Sequence, residues 1–106
     1  MTFKRLEHRL RARLKQVSVR PTRNKSLAGI AVPDTQTILL NPLHGGLLET
    51  LLHELLHLEL RLELNPFGRT LEEPIVIALA DKLVRQINRS KSRSAWWERQ
   101  LNSFTQ

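Results

Sequence analysis

The chain has 106 residues, 41% of them apolar, and contains no cysteine. That length suits one compact domain and not two, and the absence of thiols excludes disulfides and Cys-ligated metals, so any metal must sit on His, Asp or Glu. The formal net charge of +7 favours polyanionic partners, and no apolar stretch approaches the roughly 18 residues of a membrane span.

Taken in chain order, Phe3, Leu6, Leu10, Leu14 and Val17 recur at helical spacing with cations between them. The spacing predicts an amphipathic helix over about residues 2–17, within a basic segment of residues 1–19. The segment is Arg-rich, as organellar transit peptides are, but Glu7 and the tight apolar spacing fit an ordinary first helix. Pro21 and the residues after it read as a loop. The apolar runs 27–32 and 36–40, joined by Pro33-Asp34-Thr35, read as a β-hairpin, because Pro presets φ and Asp can bond its own backbone. Asn41-Pro42 stops the second strand, and Gly45-Gly46 marks a bend.

Residues 47–64 are dense in Leu and Glu with no Gly or Pro, which predicts a strong helix. Asn65-Pro66-Phe67-Gly68 breaks it. The next helix begins at Thr70 or Glu72, with Pro74 in its first turn, and runs to about Asn88, carrying Val76, Leu79, Ala80, Leu83 and Ile87 on one face. Residues 90–94 form a polar break. Trp97, Leu101 and Phe104 then predict a terminal helix over residues 95–106, packed on the domain. The expected architecture is α+β: a β-hairpin or small sheet packed on the helix of residues 47–64 and on the one after it, with helices at both ends and residues 1–106 as one domain.

The chemistry concentrates at His53-Glu54-Leu55-Leu56-His57, an HExxH motif on a predicted helix. Residues four apart share a face, so both imidazoles can converge on one ion, as tetrahedral Zn²⁺ requires of its first two ligands. Glu54 projects beside the metal without having to bind it, where it can take a proton from water. A third protein ligand must come from elsewhere. His8 and His44 lie upstream, and Leu60 and Glu63 occupy the positions where an extended HExxHxxGxxH pattern would carry Gly and His. The pair Glu72-Glu73 starts the following helix, which can fold back and aim a carboxylate at the histidines; Glu73 is the first choice and Glu72 the alternate. Pro74 leaves the residue before it extended. Glu49, one turn before His53, is placed to accept from an imidazole. The chain has no Tyr, so an oxyanion helper must be His44, Arg61, Arg69 or nothing.

Together, residues 37–41 (Thr-Ile-Leu-Leu-Asn), residues 49–57 around the motif, and Glu73 followed by Val76, Leu79 and Ala80 resemble the minimal gluzincins. These are small HExxH metallopeptidases of phages and bacteria, related in pattern to the ImmA/IrrE-like group. The resemblance covers roughly residues 27–88. It implies a zincin-like minimal domain and the cofactor Zn²⁺, with His53, His57 and Glu73 as metal ligands and Glu54 as the catalytic base. It also implies that the strand over residues 36–41 borders the cleft, where an extended peptide substrate would add by β-pairing.

The charge pattern carries a second expectation. Lys4, Arg5, Arg9, Arg11, Arg13, Lys15, Arg20, Arg23 and Lys25 crowd the first quarter, and Arg85, Arg89, Lys91, Arg93 and Arg99 the end, while Glu49, Glu54, Glu59, Glu63, Glu72 and Glu73 hold the middle. Such a charge run is ordinarily a solvated helix face. Engaged by nucleic acid, it would bind without sequence preference, since no base-reading motif is visible. The function expected first is zinc-dependent peptide hydrolysis in the cytoplasm, away from membranes. The alternatives are a basic phage or plasmid module that docks on nucleic acid or a host protein, with zinc structural or vestigial, and a zinc nuclease using the same ligands.

Overall fold

The computed structural model describes residues 2–24 and 26–105. Lys25, one of the cations expected to crowd the first quarter, lies outside the described residues, as do Met1 and Gln106. Thr2 caps the first helix, its hydroxyl accepting from the Arg5 N–H at 3.1 Å, as N-cap threonines do. Helix α1 runs Phe3–Leu14 and stops short of the expected residue 17. The chain turns after Lys15 so that the Ser18 N–H reaches the Gln36 carbonyl at 2.9 Å. It then enters a strand that was not expected, β1 (Ser18–Pro21), whose last residue is where the loop was to begin. Pro21 ends that strand at a sheet edge, where its missing N–H costs no ladder bond.

The expected hairpin is present as β2 (Gly29–Val32) and β3 (Thr37–Leu40), joined by a 3₁₀ turn over Pro33–Thr35. Gln36 is not part of the strand. It sits at φ 50°, in the left-handed region, held by its own side-chain amide, which donates to the Pro33 carbonyl at 2.8 Å. The sheet order is β1-β3-β2, with β1 parallel and β2 antiparallel to β3.

The helix expected over residues 47–64 is two. Helix α2 (Leu47–Glu59) ends where Leu60 turns to φ −101°, ψ 11°, and a short α3 (Arg61–Leu64) follows. No Gly or Pro marks this break. It lets both Leu60 and Leu64 turn into the core while leaving Leu62 exposed. After a 3₁₀ turn over Asn65–Phe67, α4 (Gly68–Asn88) begins earlier than expected, so Pro74 lies inside the helix, a turn deeper than its first turn. Helix α5 (Lys91–Thr105) also starts early. The Ser90 hydroxyl accepts from the Arg93 N–H at 3.3 Å, an N-cap contact that turns residues 91–94 from the expected break into the helix's first turn.

The core forms around α2. Leu51, Leu52, Leu55 and Leu56 are fully buried, between Leu6, Leu10 and Leu14 of α1, Val76, Ala80, Leu83 and Ile87 of α4, Ile38 and Leu40 of β3, and Trp97 of α5. Each such leucine contributes about 1.5–3 kcal/mol of burial. Helix α2 packs on α1, α4, α5 and both hairpin strands. At Gly29 the strand approaches so closely that a Cβ would stand 2.7 Å from the Thr50 methyl, so glycine sets how near β2 lies to α2. No helix among the described residues is long and apolar enough to cross a membrane.

One polar cluster ties the two ends of the chain. Glu7 is 3% exposed. It accepts from Arg11 at 2.8 and 3.1 Å, from the Trp97 indole at 3.2 Å, and from both Nε and a terminal nitrogen of Arg93, the Nε at 2.7 Å. Burial alone pushes this carboxyl up, but the bonds from Arg93, Trp97 and Arg11 prevail and hold it below the ordinary range. Glu7→Gln is therefore expected to cost about 3 kcal/mol of unfolding free energy at pH 7, read by urea denaturation. A depressed native pKa gives stability that is present above the unfolded value and lost as pH falls through the native one. The gap between parent and variant should accordingly narrow in acid, and an equal gap at pH 3 and pH 7 would contradict this account.

Candidate metal centre

His53 and His57 lie one turn apart on the same face of α2, and α4 crosses that face with Glu73 in its second turn. Glu73 is thus delivered from within a helix rather than from the extended residue expected before Pro74. The His53 and His57 Nε2 atoms stand 3.1 Å apart. Glu73 places one carboxylate oxygen 2.7 Å from His53 Nε2 and the other 3.1 Å from His57 Nε2. The imidazole planes are inclined at 56°, so the rings meet at their nitrogens rather than stacking.

Glu72 takes a different place from its neighbour. Its carboxylate lies 3.3 Å from His57 Nδ1. With Nε2 given to a metal ion, Nδ1 would carry the ring proton and donate it to this carboxylate. Glu72 is thus placed to orient the His57 ring, as such contacts fix tautomer and direction in metal-binding histidines; Glu49, expected to accept one turn before His53, is exposed.

Glu54 points from α2 toward β2 and is buried at 8% exposure. Its carboxylate accepts the Ala31 N–H and stands 3.9 Å from His53 Nε2, outside the closer triangle. Burial pushes the Glu54 carboxyl above its ordinary value; the charges of His53 and His57 oppose this, Glu73 reinforces it, and the Ala31 N–H opposes it again. His53, Glu54 and His57 offer ligand atoms within 4.8 Å of one another, but the Glu73 oxygens approach both imidazoles more closely than Glu54 approaches His53.

These donors suit a small tetrahedral cation. Bonds of about 2.0–2.1 Å to nitrogen and oxygen separate neighbouring donors by about 3.3–3.4 Å in a tetrahedron, and the observed 2.7–3.1 Å needs only a slight opening. Two imidazole nitrogens and one carboxylate are also the donor set of catalytic zinc, which keeps a fourth position for exchange.

Beside the triangle lies a cleft of 580 Å³ whose walls include Ile30, Ala31, Glu54, His57, Arg61 and Arg69. Its strand is β2. The strand over residues 36–41, which the family resemblance placed at the cleft, is instead the central strand β3, paired on both sides. The unexpected β1 occupies the edge that would have left it free. Of the oxyanion candidates, Arg61 and Arg69 line the cleft, and neither forms an ion pair among the described residues. His44 does not line it; its ring faces the Gly45 carbonyl at 3.1 Å in an exposed loop. The role of Ala31 left no mark in the sequence, because it depends on strand register rather than on residue type.

Comparison with protein-family models, curated proteins and solved structures finds no match for the chain.

If Glu72 orients His57, Glu72→Ala weakens Zn²⁺ binding about 10–100-fold in competition with a chromophoric chelator, while Glu49→Ala leaves it unchanged. Equal affinity of the Glu72 variant and the parent would remove Glu72 from this role.

Proposed function

We propose that this chain is a zinc-dependent peptidase of the minimal gluzincin type, with a zincin-like site. The observation that carries the reading is the meeting of His53 Nε2, His57 Nε2 and the Glu73 carboxylate within 2.7–3.1 Å, next to a buried carboxylate that is not part of the triangle. His53, His57 and Glu73 hold the ion, and Glu72 keeps the His57 lone pair aimed at it. When bound there, Zn²⁺ would supply Lewis acidity to a scissile carbonyl and lower the pKa of water toward about 7.

The remaining steps belong to the chain's own groups. Glu54 accepts the proton of the attacking water and passes it to the leaving amine, so the proton is conserved over one turnover. Burial raises its pKa in the metal-free chain, which favours a carboxylate that takes up a proton, while a neighbouring cation would act in the opposite sense. The Ala31 N–H holds it toward the cleft. Arg61 or Arg69 supplies positive charge for the developing oxyanion, the part that the missing Tyr leaves open.

An extended peptide fits the free edge of β2 by β-addition. The Asn41 N–H bonds the Ala28 carbonyl at 2.9 Å. With the alternation of an antiparallel ladder, this turns the backbone groups of Ile30 and Val32 toward β3 and those of Gly29 and Ala31 outward. The Ala31 N–H is engaged by Glu54, and its carbonyl remains for a substrate N–H. A chain without cysteine suits a reducing cytoplasm.

Glu54→Gln tests the reading. Assayed on zinc-loaded protein with a quenched-fluorescent peptide mixture, the variant should lose about 10²–10⁴ in kcat/KM while retaining its zinc. Cleavage that survives the substitution, or that persists after the metal is chelated, excludes this mechanism.

A further inference from the structure

A second feature lies on α1, apart from the metal triangle. Lys4, His8, Arg11 and Lys15 follow one another at steps of four, three and four residues, which places them in one row along α1, about 16 Å long at 1.5 Å per residue. Two cavities follow this row. One, of 780 Å³, is walled by Lys4, Arg5, His8, Arg11 and, from α5, Arg93. The other, of 500 Å³, is walled by His8, Arg11, Lys15 and, from α5, Trp96. They share His8 and Arg11 as walls, so the two hollows lie next to one another along this face of α1, each with one residue of α5 on its rim, and together make a basic groove.

The groove is of one sign. Glu7 is the sole acid among the residues that line the two cavities, and it is buried and shared between Arg11 and Arg93, so two cations remain over one anion. The cations differ in what they are free to do. Arg9 and Arg13 are held by Glu59 and Glu63 at 2.8–3.3 Å. Lys4, Arg5 and Lys15 are exposed and form no ion pair among the described residues. Arg11 lies 4.2 Å from the ring centroid of Trp96, and Trp96 meets the buried Trp97 edge-on at 4.9 Å. The indole is therefore braced in place as one wall of the groove.

We propose that this groove binds single-stranded nucleic acid, with phosphates along Lys4, Arg5 and Lys15 and a base against Trp96. Unpaired cations at the two ends of the row, with Arg5 beside the first of them, and a braced aromatic ring make the combination that single strands use: phosphates follow the charge and bases stack on the ring, without sequence readout. A recess where Glu7 ties α1 to Arg93 and Trp97 of α5 suits one strand better than the broad face of a duplex. It also lacks the apolar face that a membrane-surface helix inserts into lipid. RNA and DNA share the recognised chemistry, so either polymer is a ligand.

The test is fluorescence anisotropy of the full chain with labelled oligo(dT) and oligo(U) fifteen-mers. A duplex of the same length and phosphatidylglycerol vesicles serve as competitors. Three phosphates engaged give a slope of log affinity against log salt of about −2, or about twentyfold weaker binding at 200 than at 50 mM salt. Binding to either oligomer with that slope and with quenched tryptophan emission supports the proposal. Lys4→Glu/Lys15→Glu should weaken binding at least tenfold and bring the slope nearer zero than −1, with thermal unfolding and zinc content unchanged. No binding of either oligomer at 50 mM salt, parent-like binding by the double variant, tighter binding of duplex, or binding to vesicles alone would each overturn it.

Discussion

Three lone-pair donors carried on two helices meet within 3.1 Å of one another, at a place where nothing in their own chemistry would hold them together without a proton or a cation. The packing of α2 against α4 brings them there. Leucines on one side of α2 and Val76, Ala80, Leu83 and Ile87 of α4 bury against each other, and this fixes the distance from which Glu73 reaches the imidazoles. The core therefore acts as the positioning device: two interlocked helices tolerate far less displacement than a loop would. The break at Leu60 belongs to the same arrangement, because it ends α2 one residue beyond Glu59 and lets the chain double back to start α4 beside the histidines.

Around that centre the carboxylates divide by environment. Glu73 faces both imidazoles, Glu72 takes the outer nitrogen of one of them, and Glu54, the most buried of the three, stands aside against β2. Glu59 and Glu63, equally acidic in the sequence, are spent on Arg9 and Arg13. The net charge of the chain thus conceals a local order in which acid collects at the helix crossing and unpaired cations collect along α1 and its groove with α5. Glu7 is the exception: an acid carried into the basic face, where it joins the first helix to the last.

Much of this was legible in the sequence where the signal is local and periodic. Four-residue spacing put His53 and His57 on one face, the apolar stripes marked α1, α2 and α4, and Pro33-Asp34-Thr35 announced the hairpin. The break before α4 made Glu72 and Glu73 the acids able to reach the histidines. What escaped detection depends on distant partners. Strand β1 has four residues, one of them apolar apart from its proline, and becomes a strand through pairing with β3. The bonds from Glu7 to Arg93 and Trp97 span 86 and 90 residues. The choice of β2 over β3 as the cleft edge follows from the existence of β1. The early starts of α4 and α5 were missed for a simpler reason: Gly68 read as a breaker, and Ser90 read as loop when it serves as a cap.

The central claim, that two imidazoles and one carboxylate hold a single ion, is met most directly by zinc K-edge X-ray absorption on protein reconstituted with one equivalent of Zn²⁺. The account predicts a four-coordinate shell of nitrogen and oxygen at about 2.0–2.1 Å, with the outer scattering of two imidazole rings. A hydrated six-coordinate ion, or a shell with fewer than two imidazoles, would contradict it.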